Sequence, residues 1–127
     1  MAKAAQYRRA VGADYRQILQ LQSANYIANL TDEERKNGFL SAQFNLEQTA
    51  QIAEDLGITV AVLDQHVAGF LCAFRNEFPS GSPVIKQMLL SYPVFRFEDR
   101  PLSSFSSYIY GPVCIAREYR GRGLLRL

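Results

Sequence analysis

Two runs rich in β-branched and aromatic residues, ITVAVLD from Ile58 and VAGFLCAFRN from Val67, are separated only by Gln65 and His66. A link of two residues is too short for a crossover, so the runs must fold back on each other as a β-hairpin. The rest of the chain has to be arranged around that pair. On the N-terminal side, Gln6 to Val11 reads as a short strand, and Gly12 and Asp14 offer a break and a helix cap before YRQILQLQSANYIANL. In that helix Tyr15, Ile18, Leu21 and Ala28 fall on one side at helical spacing, while Arg16, Gln20 and Asn29 do not. This is the pattern of a helix lying on a sheet.

TDEERKNGFLSAQF is a polar connection with an apolar island at Phe39 and Leu40. Asn45, with Gln48 three residues later, has the spacing of a capping box for LEQTAQIAEDL, and Gly57 is placed to close that helix in a left-handed conformation. After the hairpin, Ser82 and Pro83 stand as cap and first residue of a short helix with Val84, Met88 and Leu89 on a shared face. PVFRFEDRPLSSF reads as irregular. SSYIYGPVCIA then gives another long apolar strand, interrupted by Gly111 and Pro112. Proline cannot donate to a ladder and glycine permits unusual backbone angles, so this strand is expected to bulge, part from a neighbour and leave backbone groups facing a cleft. The order strand, helix, helix, strand, strand, insertion, strand, helix predicts one α+β domain over residues 1–127, an α/β sandwich-like mixed sheet, mostly antiparallel and flanked by helices.

Composition narrows the function classes. The 127 residues suffice for one core, and 48% hydrophobic with 20% charged residues is ordinary globular usage. A net charge of +2 argues for neither a nucleic-acid nor a membrane partner. No window has the length of a signal peptide core or a membrane span, so a soluble cytoplasmic protein is expected. Cys72 and Cys114 lie far apart inside apolar runs, as buried, reduced thiols do. No metal site is expected. His66, the single histidine, sits at the hairpin turn and reads as a solvated turn residue. Glu77, Tyr108 and Tyr110 are within reach of a cleft, but a surface carboxylate and ordinary strand aromatics are the favoured reading.

The chemistry concentrates after the interrupted strand, where Arg120, Gly121, Arg122 and Gly123 mark the passage from strand to helix. Glycines there let a backbone approach a ligand closely, and the first N–H groups of a helix lack internal partners, so the junction suits an anion. Arginines add charge-assisted hydrogen bonds to phosphate.

At these residues the chain resembles the GNAT superfamily of acetyl-CoA-dependent acyltransferases. The family's bulged fourth strand ends in a hydrophobic triplet, matched here by Val113, Cys114 and Ile115. A few residues later comes Gln or Arg, two residues, Gly, one residue, then Gly or Ala, matched by Arg120, Gly121, Arg122, Gly123, Leu124 and Leu125, with Leu125 departing at the final position. The resemblance implies the GNAT acyl-CoA N-acyltransferase fold. It implies that backbone groups of Val113 and Ile115 hold the acetyl carbonyl and pantetheine arm of acetyl-CoA, the co-substrate, and that amides from Arg122 to Leu125, with Arg120 alongside, hold the pyrophosphate. The acceptor would be an amine of a small molecule or peptide, attacking the thioester directly in a ternary complex. No acid or base is assigned. Phe39 and Phe44 are candidates to shape the acceptor pocket, and the family also allows a homodimer.

The family's fold continues beyond this point with a further parallel strand and a helix bearing the usual acidic tyrosine. By that resemblance the domain is incomplete at its C-terminus, ending after the start of the third main helix with Leu124, Leu125 and Leu127 as its buried face. The 127-residue chain is then expected to have little or no acyltransferase activity by itself. Two other readings stand beside this one: a catalytically silent GNAT-like scaffold, and a nucleic-acid-binding module using Arg117, Arg120, Arg122 and Arg126. The absence of aromatic residues interleaved with those arginines disfavours the second.

Overall fold

A computed structural model describes residues 4–125. Arg126 and Leu127, named above for phosphate contact and for a helix face, lie outside the described residues. The main elements are β1 (Gln6–Arg9), α1 (Tyr15–Asn25), α2 (Asp32–Arg35), α3 (Leu46–Glu54), β2 (Ile58–Leu63), β3 (His66–Arg75), α4 (Pro83–Ser91), β4 (Arg96–Phe97), β5 (Arg100–Pro101) and β6 (Tyr108–Ile115). Strands β1, β2, β3 and β6 form one antiparallel sheet in that order, and β4 with β5 forms a separate two-stranded hairpin.

The β2–β3 hairpin turns on Asp64 and Gln65, both at positive φ (51° and 66°), as a two-residue connection between right-twisted strands requires. His66 therefore belongs to the strand, paired with Leu63, and not to the turn. Along β3 the side chains of Phe70, Cys72 and Phe74 point to one face, where α1 and α3 cover them in a core with Ile18, Phe44, Ile52, Ile58 and Val60. Phe44, Phe74 and Phe78 meet there edge-to-face or tilted, with centroid separations of 5.3–6.0 Å. Gln22 is buried in this layer without an unpaired group. Its amide donates to the Phe44 carbonyl (3.2 Å) and its oxygen accepts from the Phe44 N–H (3.1 Å).

The predicted capping box of α3 is formed, with the Gln48 N–H donating to Asn45 Oδ1 (2.8 Å) and the Asn45 N–H to Gln48 Oε1 (3.0 Å). Gly57, at φ 109°, closes the helix by donating to the Ile52 carbonyl (2.9 Å). Arg9 reaches across from β1 to donate to the Ala53 and Asp55 carbonyls, satisfying acceptors that the helix end leaves open.

Four expectations need correction. Helix α1 stops at Asn25, so Ala28 lies in a following 3-10 turn and is exposed. Asp14 makes no cap hydrogen bond to α1; it accepts from the Arg8 guanidinium (2.6 and 2.9 Å) and the Val11 N–H (2.8 Å) instead. Ser82 caps α4 as expected, but Ile85 and Leu89 pack on the core while Val84 and Met88 face solvent. At 100° per residue, the one-position shift turns the buried face by more than a quarter of a turn. The stretch after α4 is not irregular: Glu98 and Asp99, both at positive φ, turn β4 back onto β5, and Phe97 and Arg100 pack on Phe105.

The expected bulge in β6 is present. Leu71 pairs with Val113 and Ala73 with Tyr110, so three steps on β6 oppose two on β3, with Gly111 (φ 144°) inside the interval. Burial requires this extra residue. Ile109 and Cys114, five residues apart, both enter the core, which strict strand alternation forbids for an odd separation. Gly69 lies in β3 opposite Ile115, and a Cβ there would sit 2.8 Å from the Cys114 carbonyl oxygen.

Candidate functional site

Beyond the bulge, Val113, Cys114 and Ile115 run along the edge of the sheet, since among the described residues β6 pairs only with β3. An edge strand carries N–H and C=O groups without a strand partner, able to receive an extended ligand; on this edge the Ile115 carbonyl is already taken by the Arg120 guanidinium (2.8 Å). Two hollows flank the triplet. One, of about 270 Å³, has Val113, Cys114, Ile115, Arg120 and Leu125 on one side and Asn37, Gly38, Phe39 and Leu40 on the other. The second, of about 220 Å³, opens on the uncovered face of the sheet between Tyr7, Gly69, Leu71, Tyr110, Val113 and Leu125.

The 37–40 wall is fixed to the end of α1. The Leu40 N–H donates to the Asn25 carbonyl (2.8 Å), and the Ile27 N–H donates to the Leu40 carbonyl (2.9 Å). Phe39 stands on this wall, half exposed, whereas Phe44 belongs to the core cluster and not to a pocket. Sequence spacing gave both rings equal claim, because it contains nothing about which side of the connection folds under α1.

The glycine turn follows a 3-10 turn over Arg117–Tyr119. Gly121 and Gly123 both have positive φ (78° and 76°), and a Cβ on Gly121 would meet nothing within 4 Å, so the backbone here faces open space. The same angles correct the expected helix start. Positive φ lies outside the right-handed helical region, so no helix can begin before Leu124; Gly121, Leu124 and Leu125 lie in turns and Arg122 in a bend. Leu125 is 68% exposed and lines both hollows, so it is not on a buried helix face. Leu124 is held by its carbonyl, which accepts from the Tyr7 hydroxyl (2.6 Å).

The arginines separate by role. Arg120, expected beside the pyrophosphate, turns inward. It donates to the Ile115 carbonyl (2.8 Å), to Asn25 Oδ1 (2.7 Å) and to the Asn37 carbonyl (3.4 Å). Arg117 pairs with Glu34 on α2 at 3.4 Å. Arg122 lies exposed at the turn with its guanidinium 5.5 Å from the Tyr119 ring centroid. The Asn25–Arg120 contact spans 95 residues of sequence, and no local pattern signals it.

Burial disfavours the thiolate form of both cysteines. Burial pushes the Cys72 thiol up to about 12, and burial also raises that of Cys114, with Arg120 opposing. Among the described residues no three His, Cys, Asp or Glu side chains stand together as metal ligands. Tyr108 and Tyr110 are both exposed, and Tyr110 lines the same open-face hollow as Val113. Glu77 is exposed just beyond β3. A further hollow of about 660 Å³ lies away from Val113, between α1 and Ala116–Tyr119, and includes Glu34 and His66.

No protein-family model and no curated protein matches the sequence. Among solved structures, the chain is similar to the loading GNATL domain of CurA from Lyngbya majuscula, at 18% identity and a TM-score of 0.58, covering 96% of this chain and 53% of that one. It is also similar to a GNAT family N-acetyltransferase, YhbS, from Escherichia coli, solved in complex with CoA (15% identity, TM-score 0.48, 98% of this chain and 51% of that one). A third is described as histone acetyltransferase HPA2 and related acetyltransferase from Corynebacterium glutamicum (15%, 0.47, 96% and 66%). The chain thus spans about half the length of the first two. Over that span, the likeness to the CurA domain shows the α+β GNAT fold expected from the sequence.

Proposed function

We propose that this chain is the donor-binding part of an N-acyltransferase, which transfers an acetyl group from acetyl-CoA to a primary amine of a small molecule or peptide. The observation that carries this reading is the bulged edge of β6, whose hollows at Val113–Ile115 are also lined by Arg120, Leu124 and Leu125, the residues that bracket the glycine turn. The thioester arm lies along the free edge as an added strand, and backbone N–H groups of residues 121–125 meet the diphosphate. The amine nitrogen attacks the thioester carbon, an edge N–H stabilises the oxyanion, and collapse expels the thiolate, which takes up the proton lost by the amine. No side chain is assigned to carry that proton.

A nucleic-acid module is disfavoured because Arg117 and Arg120 are engaged by Glu34, Asn25 and two backbone carbonyls. Titration of the protein with coenzyme A and with a polynucleotide, each at low and high salt, tests the reading. Saturable coenzyme A binding is expected. Polynucleotide binding that falls steeply with salt, with no coenzyme A binding, would overturn it. Coenzyme A binding without acetyl transfer to any amine in a broad panel would favour the silent scaffold.

A further inference from the structure

The guanidinium of Arg120 is held by three oxygens from three separate segments: the end of β6 at Ile115, the last residue of α1 at Asn25, and the α2–α3 connection at Asn37. Those segments are the two walls of the 270 Å³ hollow and the helix end that joins them. Asn25 is buried and committed on both sides of its amide, since its Nδ2 donates to the Leu21 carbonyl (2.9 Å) while its Oδ1 accepts from Arg120. Its backbone carbonyl also accepts from the Leu40 N–H. The arrangement fixes the separation of the Val113–Ile115 edge from the Gly38–Leu40 wall. A planar fork with donors in fixed directions suits this task, and a lysine ammonium cannot meet three acceptors so spread.

We infer that Arg120 is a positioning residue that sets the width of the groove receiving the thioester arm, and that the turn's direct side-chain contact with a diphosphate falls to Arg122. Arg122 is exposed beside the two glycines, with the Tyr119 ring beneath its guanidinium. This inference rests on the donor-binding reading above. It divides the two arginines of one short motif by what they touch: Arg120 acts on the arm and Arg122 on the phosphates.

The division is tested with two probes, coenzyme A and pantetheine, which carries the same arm without diphosphate or adenosine. Dissociation constants are measured well below each variant's melting temperature. Arg120→Gln is expected to weaken both probes by the same factor, about tenfold, and Arg120→Lys is expected not to rescue. Arg122→Gln is expected to weaken coenzyme A alone, with a shallower salt dependence. Asn25→Ser removes one acceptor of the brace and keeps the inference testable if Arg120→Gln does not fold. It is expected to weaken pantetheine too, and in the double variant the two losses are expected not to add. An Arg120→Gln loss confined to coenzyme A, rescued by lysine, would overturn the inference and leave the donor reading intact. Wild-type protein that binds neither probe would overturn both.

Discussion

The two faces of the four-stranded sheet are built from the same strands and differ in what covers them. On one face, Phe70, Cys72, Phe74, Ile109 and Cys114 are buried under α1 and α3. On the other, Tyr7, Tyr108, Tyr110 and Val113 are all more than 40% exposed among the described residues. Alternation along each strand assigns side chains to the faces, and two irregularities reset that assignment, one in β3 between Val67 and Gly69 and one in β6 at Gly111 and Pro112. The covered face holds the fold. The open face and its free edge hold the features on which the proposed function rests.

The largest test of this contrast is truncation of one aromatic ring on each face. Phe74→Ala removes a ring that is 2% exposed and touches both Phe44 and Phe78, at an expected cost of about 3–5 kcal/mol. Tyr110→Ala, at 69% exposure, is expected to stay within about 0.5 kcal/mol. Denaturant unfolding measures both, and equal costs would break the contrast.

A smaller effect belongs to Arg8 and Asp14 at the edge of the core. The Arg8 hydrogen bonds hold the Asp14 carboxyl below its ordinary range against the opposing effect of burial, and the Val11 N–H helps. Asp14→Asn is expected to cost about 1–2 kcal/mol at neutral pH, the lower part of the range because Arg8 is partly solvated. A depressed folded-state value means the stabilisation is fully present above the unfolded carboxylate value of about 3.9 and is lost as pH falls through the folded one. The difference in stability between wild type and variant should therefore shrink on acidification below about pH 4. A difference that stays constant from pH 7 to 3 would assign the effect to packing.

Much of the fold was legible because its signals are local. A two-residue link between strand-forming runs, an Asn–Gln pair at capping spacing and a glycine–proline break each act within a few residues, and the hairpin, the α3 cap and the β6 bulge formed where those signals stand. The face of α4 was misread by one position, because apolar residues at 84, 85, 88 and 89 satisfy two helical stripes equally. Only the surface it meets decides between them. At the candidate site the bulge and the glycine turn carry local signals, while the partners of its arginines carry none. Val113–Ile115 stand beside open grooves, yet Arg120 resembles any phosphate-binding arginine until Asn25 and Asn37 are brought to it by the fold. Phe44 was lost to the core for the same reason.

The central claim is that main-chain groups at the β6 edge and the glycine turn receive a thioester arm and its diphosphate. Amide hydrogen exchange with and without saturating coenzyme A reads those groups directly. Slowed exchange at Val113–Ile115 and at residues 121–125, with the α4 and β4–β5 amides unchanged, is the predicted result. Coenzyme A binding that leaves both stretches unprotected would contradict it.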